Sequence, residues 1–292
     1  MTVFRSTDAI RAFLESLDGW LSDPVTVYLL GGSAMTVRGL KDRTEDIDLA
    51  LGVDDEFEHV LGTLRSQGFE VVDEPTSSFE SVGRTVELHH PERGFRVDLF
   101  ERQVVGKVWI TGRMGERATE FWTGERVTTF VLADEDMFLL KAVSGGDPAS
   151  GRRRDRQDLR TFAQRGLDYD VILQEIEQQR PFNVEATEAR QIRDRSHPLV
   201  AIELAVSSLT GLPETFTTRL SRLATELEVE YVVLSALDED VRHVDRIRER
   251  ARADVRSLPA DGAAEVDAAI DRLARKRILE RDGDTLHLGD HA

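Results

Sequence analysis

The sequence contains no cysteine among its 292 residues. This absence excludes disulfide bonds, zinc sites with cysteine ligands and thiol nucleophiles. Lysine is scarce as well, because only Lys41, Lys107, Lys141 and Lys276 occur among 38 basic residues. No apolar run approaches the ~20 residues that a membrane-spanning helix requires, and the first residues lack the basic and apolar segments of a secretory signal. We therefore expect a cytoplasmic protein with no membrane partner.

Basic side chains are also outnumbered by acidic ones, 38 to 55, which gives a formal net charge of −17 at pH 7. A surface so acidic and so poor in lysine suits high intracellular salt, so we expect a halophilic protein, with an acidic mesophilic protein as the alternative. The net charge argues against broad, non-specific binding to nucleic acid. A local basic patch remains compatible with RNA binding, because salt screens charge beyond ~8 Å.

The most informative segment is residues 27–51, where the pattern predicts a strand, a Gly-Gly-Ser turn, a short helix over residues 35–40 and a second strand. The second strand carries Asp46 and Asp48, whose side chains point to the same face because they are two residues apart. Hard divalent cations prefer oxygen ligands held in this way. Taken alone, the carboxylate pair also fits an ordinary solvated strand edge, and the glycine turn also fits an ordinary tight turn.

The turn consists of Gly31, Gly32 and Ser33. A glycine turn that opens a helix offers free N–H groups to a phosphate. Together with the two carboxylates, this turn predicts a site for a nucleoside triphosphate and its magnesium. A further acid, Asp98, lies in an otherwise apolar strand, where a carboxylate needs a partner.

A Gly-Ser turn, an Asp-x-Asp on the next strand and a third acid on a later strand resemble the nucleotidyltransferase superfamily, which has the DNA polymerase β-like fold. The resemblance implies that two Mg²⁺ ions bind Asp46, Asp48 and Asp98 together with the triphosphate. It implies that Ser33 and the nearby backbone hold the β- and γ-phosphates. It also places Arg43 in an Arg-x-Thr-x-Asp segment, where the side chain either contacts phosphate or is structural.

Other sites that use an Asp-x-Asp motif fit less well. Haloacid-dehalogenase-like phosphatases and many glycosyltransferases place the motif after an apolar strand, whereas Asp46 follows the polar segment 41–45 and opens its strand. A Walker P-loop is excluded because no Gly-Lys-Ser/Thr follows the glycines. An EF-hand is excluded because the later loop ligands are missing.

A second group of residues narrows the resemblance. Lys141 lies in an otherwise apolar helical segment, and Asp158 follows within the arginine-rich stretch 152–158. These segments resemble the Lys-x-x-Ala and Arg-Asp-x-x-Asp segments of AbiEii-like toxins and of uncharacterised archaeal nucleotidyltransferases. The resemblance implies that Lys141 contacts the triphosphate and that Asp158 pairs with Lys141 or positions the nucleotide. Taken alone, Lys141 also fits a surface lysine that snorkels to solvent, and the arginines at 152–156 fit either a phosphate clamp or a helix start.

The predicted fold is α+β. A nucleotidyltransferase-type mixed sheet with flanking helices and a helical extension occupies residues 1–180. A mainly helical region follows over residues 181–292, with a helix at 184–195 and, at its end, a helix and hairpin that look like a winged-helix unit. The would-be recognition helix carries Arg272, Arg275 and Lys276, which fits DNA binding, although many winged helices bind only proteins.

The expected function is Mg²⁺-dependent transfer of a nucleoside monophosphate from a triphosphate to a hydroxyl acceptor, either a tRNA 3′ end or a protein. Family analogy implies a toxin–antitoxin or phage-defence context and a cognate antitoxin as partner. The alternative is a catalytically silent regulator of the same fold that binds DNA or a partner through its C-terminal region. A transferase that modifies small cationic sugars is a third option.

Overall fold

The computed structural model describes residues 6–52, 54–73, 85–101, 103–104, 108–146, 153–179, 198–255, 258 and 262–289. The chain divides into two compact units, residues 1–144 with 157–167 and residues 145–156 with 168–292. The boundary predicted at residues 180 and 181 and the helix predicted at 184–195 lie outside the described residues. Across the described residues, no helix is both long enough and apolar enough to cross a membrane.

The first unit alternates helices and short strands. Its elements in chain order are α1 (Thr7–Trp20), β1 (Val25–Leu29), α2 (Gly31–Val37), β2 (Ile47–Leu51), α3 (Asp54–Ser66), β3 (Glu70–Asp73), β4 (Thr85–His89), β5 (Arg96–Glu101), β6 (Gln103–Val104), β7 (Val108–Trp109), α4 (Gly112–Arg117), β8 (Thr119–Thr123), β9 (Val127–Val131), α5 (Asp134–Gly146) as far as residue 144, and α6 (Arg153–Ala163) from residue 157.

Seven of these strands form one mixed sheet in the order β3-β4-β5-β2-β1-β9-β8. β2 and β5 are parallel, as are β1 and β9, and the other neighbouring pairs are antiparallel. β6 and β7 form a separate antiparallel pair. The prediction of an α+β protein with a mixed sheet and flanking helices is therefore confirmed at this level.

The centre of the sheet is apolar on one face. Ile47 and Leu49 of β2 and Val97 and Leu99 of β5 are fully buried. Because side chains alternate along a strand, the residues between them point to the opposite face. That opposite face carries the carboxylates of the candidate site.

Helix α1 forms as its sequence predicts. Ser6 is the N-cap, and its hydroxyl accepts a hydrogen bond from the Ala9 N–H at 3.2 Å. Four residues at helical spacing are buried beneath the helix: Ile10, Phe13, Leu14 and Leu17. The apolar spacing over residues 6–21 predicts this helix, with Ser6 or Thr7 as its N-cap, and the structure has Ser6 in that position.

Helix α2 differs from the prediction, because it begins at Gly31 and ends at Val37 instead of covering residues 35–40. The Ala34 N–H donates to the Leu30 carbonyl at 2.8 Å, so helical bonding starts directly after β1. Gly31 has φ +49°, a left-handed conformation that glycine adopts without steric cost. The two glycines thus form the first turn of the helix, and the predicted separate turn was wrong.

The second unit is mainly helical. Its elements are the first residues of α6, α7 (Tyr169–Gln179), α8 (Pro198–Val206), α9 (Glu214–Asp238), α10 (Val244–Asp254), α11 (Ala263–Arg275), β10 (Leu279–Asp282) and β11 (Thr285–Leu288). β10 and β11 form the predicted hairpin around Gly283, whose φ is +60°. His243 adds an isolated bridge to Thr285. In chain order, this part of the chain consists of α9, the bridge at His243, α10, α11 and the β10–β11 hairpin. These elements pack around one apolar core.

α6 begins at Arg153, so the arginine cluster at 152–156 does open a helix. Arg152 itself lies outside the described residues. The strands β4 and β5 are joined by a turn that begins after His89, and the buried His90 accepts a hydrogen bond from the Arg93 N–H at its Nδ1. His90 therefore has a structural contact within that turn.

Candidate active site

The candidate site is built on the two parallel strands at the centre of the sheet. Asp48 of β2 and Asp98 of β5 are direct neighbours in the strand register, so both side chains leave the same face of the sheet. Asp48 Oδ2 accepts a hydrogen bond from the Gly32 N–H at 3.1 Å. The start of α2 and two strands thereby meet at one carboxylate.

Two glycines at the start of α2 make this approach sterically feasible. A Cβ atom added to Gly31 would collide with the Asp48 carboxylate, and one added to Gly32 would collide with the Thr44 hydroxyl. Gly31 also needs its positive φ to turn the chain from β1 into the helix. The sequence feature that predicted a phosphate turn is thus required, in the structure, to make room for Asp48.

Asp46 lies just before β2 and is held by its own loop. The Thr44 hydroxyl donates to Asp46 Oδ1 at 3.0 Å and to the Asp46 carbonyl at 3.0 Å. Thr44 is buried, so the direction of its hydroxyl is set by packing. This contact orients the Asp46 side chain.

The electrostatics of the site centre on Asp48. Its pKa is raised from the ordinary value to about 6, mainly because burial removes the carboxylate from water and also because of the negative charge of Asp46. The charges of Lys141 and Lys41 and the Gly32 N–H act in the opposite direction. Asp46 and the two lysines therefore all act on the pKa of the Asp48 carboxyl.

A buried carboxylate brings the two lysines together. Asp158 of α6 is 4% exposed, and its Oδ2 lies 2.7 Å from Lys41 Nζ and 3.2 Å from Lys141 Nζ. Lys141 is 16% exposed, on a helix whose neighbouring residues are buried. The alternative of a snorkelling surface lysine does not apply, because its ammonium group is turned to a buried acid.

Ser33 and Arg43 are placed differently from the rest. Ser33 is fully buried, and its hydroxyl donates to the Leu30 carbonyl at 2.8 Å. Its side chain thus fixes the start of α2. Arg43 is exposed on the loop between α2 and β2. The structure places Gly31, Gly32 and Asp46 next to Asp48, and Asp98 beside Asp48 on the neighbouring strand. The charge of Lys141 acts on Asp48, and Asp158 pairs with Lys141.

Sequence reasoning missed two residues of this region. Lys41 received no role, although its rarity as a lysine was a usable signal. Glu87 of β4 pairs in register with Asp98, which extends the row of acids on that face of the sheet by one strand. Its signal was the alternation of β4, in which Val86 and Leu88 are buried and Glu87 faces the other side.

The side chains of the candidate site are ligands of the type that a hard cation prefers. All its side-chain donors are carboxylates, which Mg²⁺ prefers, and a cation would relieve the repulsion between Asp46 and Asp48. However, no three acidic or histidine side chains in the described ranges lie close enough together to hold one ion. Asp46, Asp48 and Asp98 are therefore not gathered around one point, and metal binding by all three stays a prediction.

A separate cavity of about 260 Å³ lies at the first turn of α5 and is lined by Arg38, Arg117 and Arg165 among others. Its arginines already have acidic partners. Arg38 and Arg165 pair with Asp134 at 3.0 and 2.6 Å, and Arg117 pairs with the buried Asp136 at 2.6 Å. This cavity is accordingly part of an ion-pair network that holds the start of α5.

No family model matches the chain, and no curated protein matches it. Two solved structures from Helicobacter pylori are similar to it at 15% sequence identity. JHP933 matches with a TM-score of 0.33 over 80% of this chain and 97% of its own. A candidate nucleotidyltransferase matches with a TM-score of 0.31 over 75% of this chain and 91% of its own. Likenesses of this size do not assign the chain to a family.

Proposed function

We propose that the first unit is a Mg²⁺-dependent nucleotidyltransferase that moves a nucleoside monophosphate from a triphosphate to a hydroxyl acceptor. The observation that carries the proposal is the meeting of Asp48 with Asp98 in register, with the Gly32 N–H and with the charge of Asp46. Repelling carboxylates on a sheet face, next to lysines, are expected where a cation and a polyphosphate bind.

In this proposal, Asp46 and Asp48 would hold the metal and Asp98 would face the acceptor. When bound, Mg²⁺ neutralises charge on the phosphates and lowers the pKa of the acceptor hydroxyl. The acceptor oxygen attacks the α-phosphorus, the bond from that phosphorus to the bridging oxygen breaks, and pyrophosphate leaves. Asp98 takes the hydroxyl proton.

The remaining residues bind the triphosphate. Lys141 donates to a phosphate oxygen while it stays paired with Asp158, because an ammonium group has three donors. The backbone around Gly31 and Gly32 contacts the β- and γ-phosphates, since the Ser33 hydroxyl is already engaged with Leu30. The acceptor is a tRNA 3′ end or a protein side chain, and the context a toxin–antitoxin or defence system.

The test is transfer of label from each of four α-³²P ribonucleoside triphosphates, with Mg²⁺, to tRNA, to cellular protein or to the chain itself. We expect label on one acceptor class, and loss of at least about a thousandfold in rate for Asp46→Asn. The matched control is Asp271→Asn, which removes an exposed acid of α11 and should leave transfer unchanged. Equal labelling by the native protein and Asp46→Asn would refute the site.

A second candidate function concerns the second unit. Its order of helix, bridge, helix, helix and hairpin supports the proposal of a winged helix that binds DNA or a partner, which is the regulator alternative. Of the predicted DNA-reading residues, Arg272 donates to the buried Glu230 at 2.6 Å, whereas Arg275 and Lys276 are exposed. The pairing of Arg272 favours a protein partner over DNA.

The two candidate functions predict that different ligands stabilise the protein. A nucleotide-binding first unit is stabilised by triphosphate only when Mg²⁺ is present, by about 2.7 kcal/mol at a hundredfold excess over Kd. A silent regulator shows no such shift and is stabilised instead by its partner or by duplex DNA. Thermal unfolding with each ligand in turn distinguishes them.

A further inference from the structure

Two lysines pair with one buried carboxylate, and the charges of both lysines also reach Asp48 of the candidate site. Lys41 and Lys141 share Asp158 Oδ2 at 2.7 and 3.2 Å. One ammonium suffices to neutralise one carboxylate. The second adds repulsion between the two cations and a further desolvation cost, and buried ion pairs already gain little net stability.

The two lysines are also unequal. Lys41 is 30% exposed and lies in the loop that leads to Asp46, whereas Lys141 is 16% exposed and fixed on α5. Removal of both cations would leave Asp158 as an unpaired buried charge, which is strongly destabilising. Departure of one is tolerable, and the more exposed residue on a loop is the one that can leave.

The charge balance shows where the departing lysine is needed. Asp46, Asp48, Asp98 and Asp158 outnumber the two lysines, and both lysines act electrostatically on Asp48. A triphosphate carries about four negative charges into this group of acids, so Mg²⁺ alone meets part of the demand. A flexible ammonium is a suitable point charge for a phosphate oxygen.

We infer that Lys41 is a phosphate-binding residue that exchanges Asp158 for a phosphate oxygen of the triphosphate, while Lys141 stays on Asp158 and keeps it neutralised. The inference rests on the proposed function. In the nucleotide-free protein, Asp158 serves as the counter-ion that keeps Lys41 next to the acids. The loop of residues 41–46 thereby joins the metal ligands to a phosphate ligand.

The test compares Lys41→Met with Lys41→Arg and with Arg222→Met, which removes an exposed basic residue of the second unit. Calorimetric titrations with Mg²⁺ use the ribonucleoside triphosphate that the native protein binds best, its monophosphate and inorganic tripolyphosphate. For Lys41→Met, we expect Kd for triphosphate and tripolyphosphate to rise by about tenfold to a hundredfold, with Kd for the monophosphate unchanged. Lys41→Arg retains most of the affinity, and Arg222→Met all of it.

The outcomes are distinguishable. If the native protein binds no triphosphate with Mg²⁺, the proposed function fails and the inference fails with it. If the native protein binds triphosphate and Lys41→Met binds it equally well, only the inference fails. Equal weakening of monophosphate and triphosphate would mean that Lys41 supports the structure, and would also overturn the inference. The unfolding midpoint of each ligand-free variant shows that it is folded.

Discussion

Ionised side chains are used differently in the two units. In the second unit, the arginines pair with one or two acids each. Glu230 pairs with Arg272 at 2.6 Å, and Arg250 pairs with Glu239 at 2.6 Å. Arg248 lies 2.7 Å from Asp267. Each of these contacts joins opposite charges.

In the first unit, the charges at the centre of the sheet are not balanced in this way. Asp46 raises the pKa of Asp48 in addition to the effect of burial, and two ammonium groups share the single carboxylate of Asp158. Like charges held together cost stability unless a ligand offsets them. The comparison teaches that the second unit joins opposite charges, whereas the centre of the sheet in the first unit holds like charges close together.

The largest effect is expected where a matched pair is broken. Arg272→Met removes the guanidinium that lies 2.6 Å from the buried Glu230, so the free energy of unfolding of the second unit should fall by about 3–5 kcal/mol. Replacement of both residues by methionine should recover most of that loss, since no charge is left buried. Urea unfolding followed by circular dichroism measures both variants.

The control for this pair is Arg246→Met. Its partnership with Glu249 is well exposed, at 73% and 62%, so its loss should cost less than about 1 kcal/mol. A double variant as unstable as Arg272→Met would show that packing, and not charge matching, governs this pair.

At Asp48, removal of the charge is expected to raise the free energy of unfolding instead of lowering it. Its carboxyl has an ordinary pKa of 3.8 and a folded-state pKa of about 6. Between these values the unfolded chain loses the proton first, so stability falls as pH rises through this range, and the penalty is complete above about pH 6. A pKa difference of this size corresponds to about 3 kcal/mol.

Asp48→Asn should therefore stabilise the metal-free protein at pH 7.5 by about 2–3 kcal/mol, because the amide keeps an acceptor for the Gly32 N–H and carries no charge. The same variant should lose Mg²⁺-dependent stabilisation by triphosphate. Thermal unfolding from pH 4 to pH 8 provides the measurement. A variant less stable than the native protein at pH 7.5 would show that Asp48 is not under electrostatic strain.

Alanine substitutions at two glycines with positive φ test how closely α2 approaches Asp48. Alanine at Gly31 or Gly39 meets the same backbone penalty of about 1–2 kcal/mol, since their φ values are +49° and +69°. Only at Gly31 does the added Cβ also collide with Asp48, whereas Gly39 has open space. Gly31→Ala should thus be the less stable by a further ~1–3 kcal/mol. Equal unfolding midpoints for the two variants would contradict the tight approach of α2 to Asp48.

The smallest effect on stability is expected for Lys41→Met. Lys41 is partly exposed, and Lys141 remains to neutralise Asp158, so the free energy of unfolding should change by less than about 1 kcal/mol. Chemical unfolding without nucleotide measures this change. A loss above about 2 kcal/mol would place the residue with the matched pairs of the second unit.

Local patterns predicted most elements of the fold. The helical spacing of apolar residues in α1 and the Asp-Gly signal of the β10–β11 hairpin predicted both elements, because each depends on neighbouring residues. Helix α4 was missed, since it has six residues and two glycines; its one signal was the N-cap Thr111, whose hydroxyl accepts from the Met114 N–H. The start of α2 was misplaced because glycine rarely favours a helix.

The sequence by itself determined the acids, their alternation along β2 and β5, and the scarcity of lysine that singled out Lys141. It did not determine that Asp48 and Asp98 are neighbours, which follows from the parallel pairing of their strands. Nor did it indicate that Lys41 and Asp158, 117 residues apart, meet at one oxygen. Such contacts depend on how distant elements pack, and no periodicity in the chain encodes that packing, so the charge balance of the site was decided by tertiary structure.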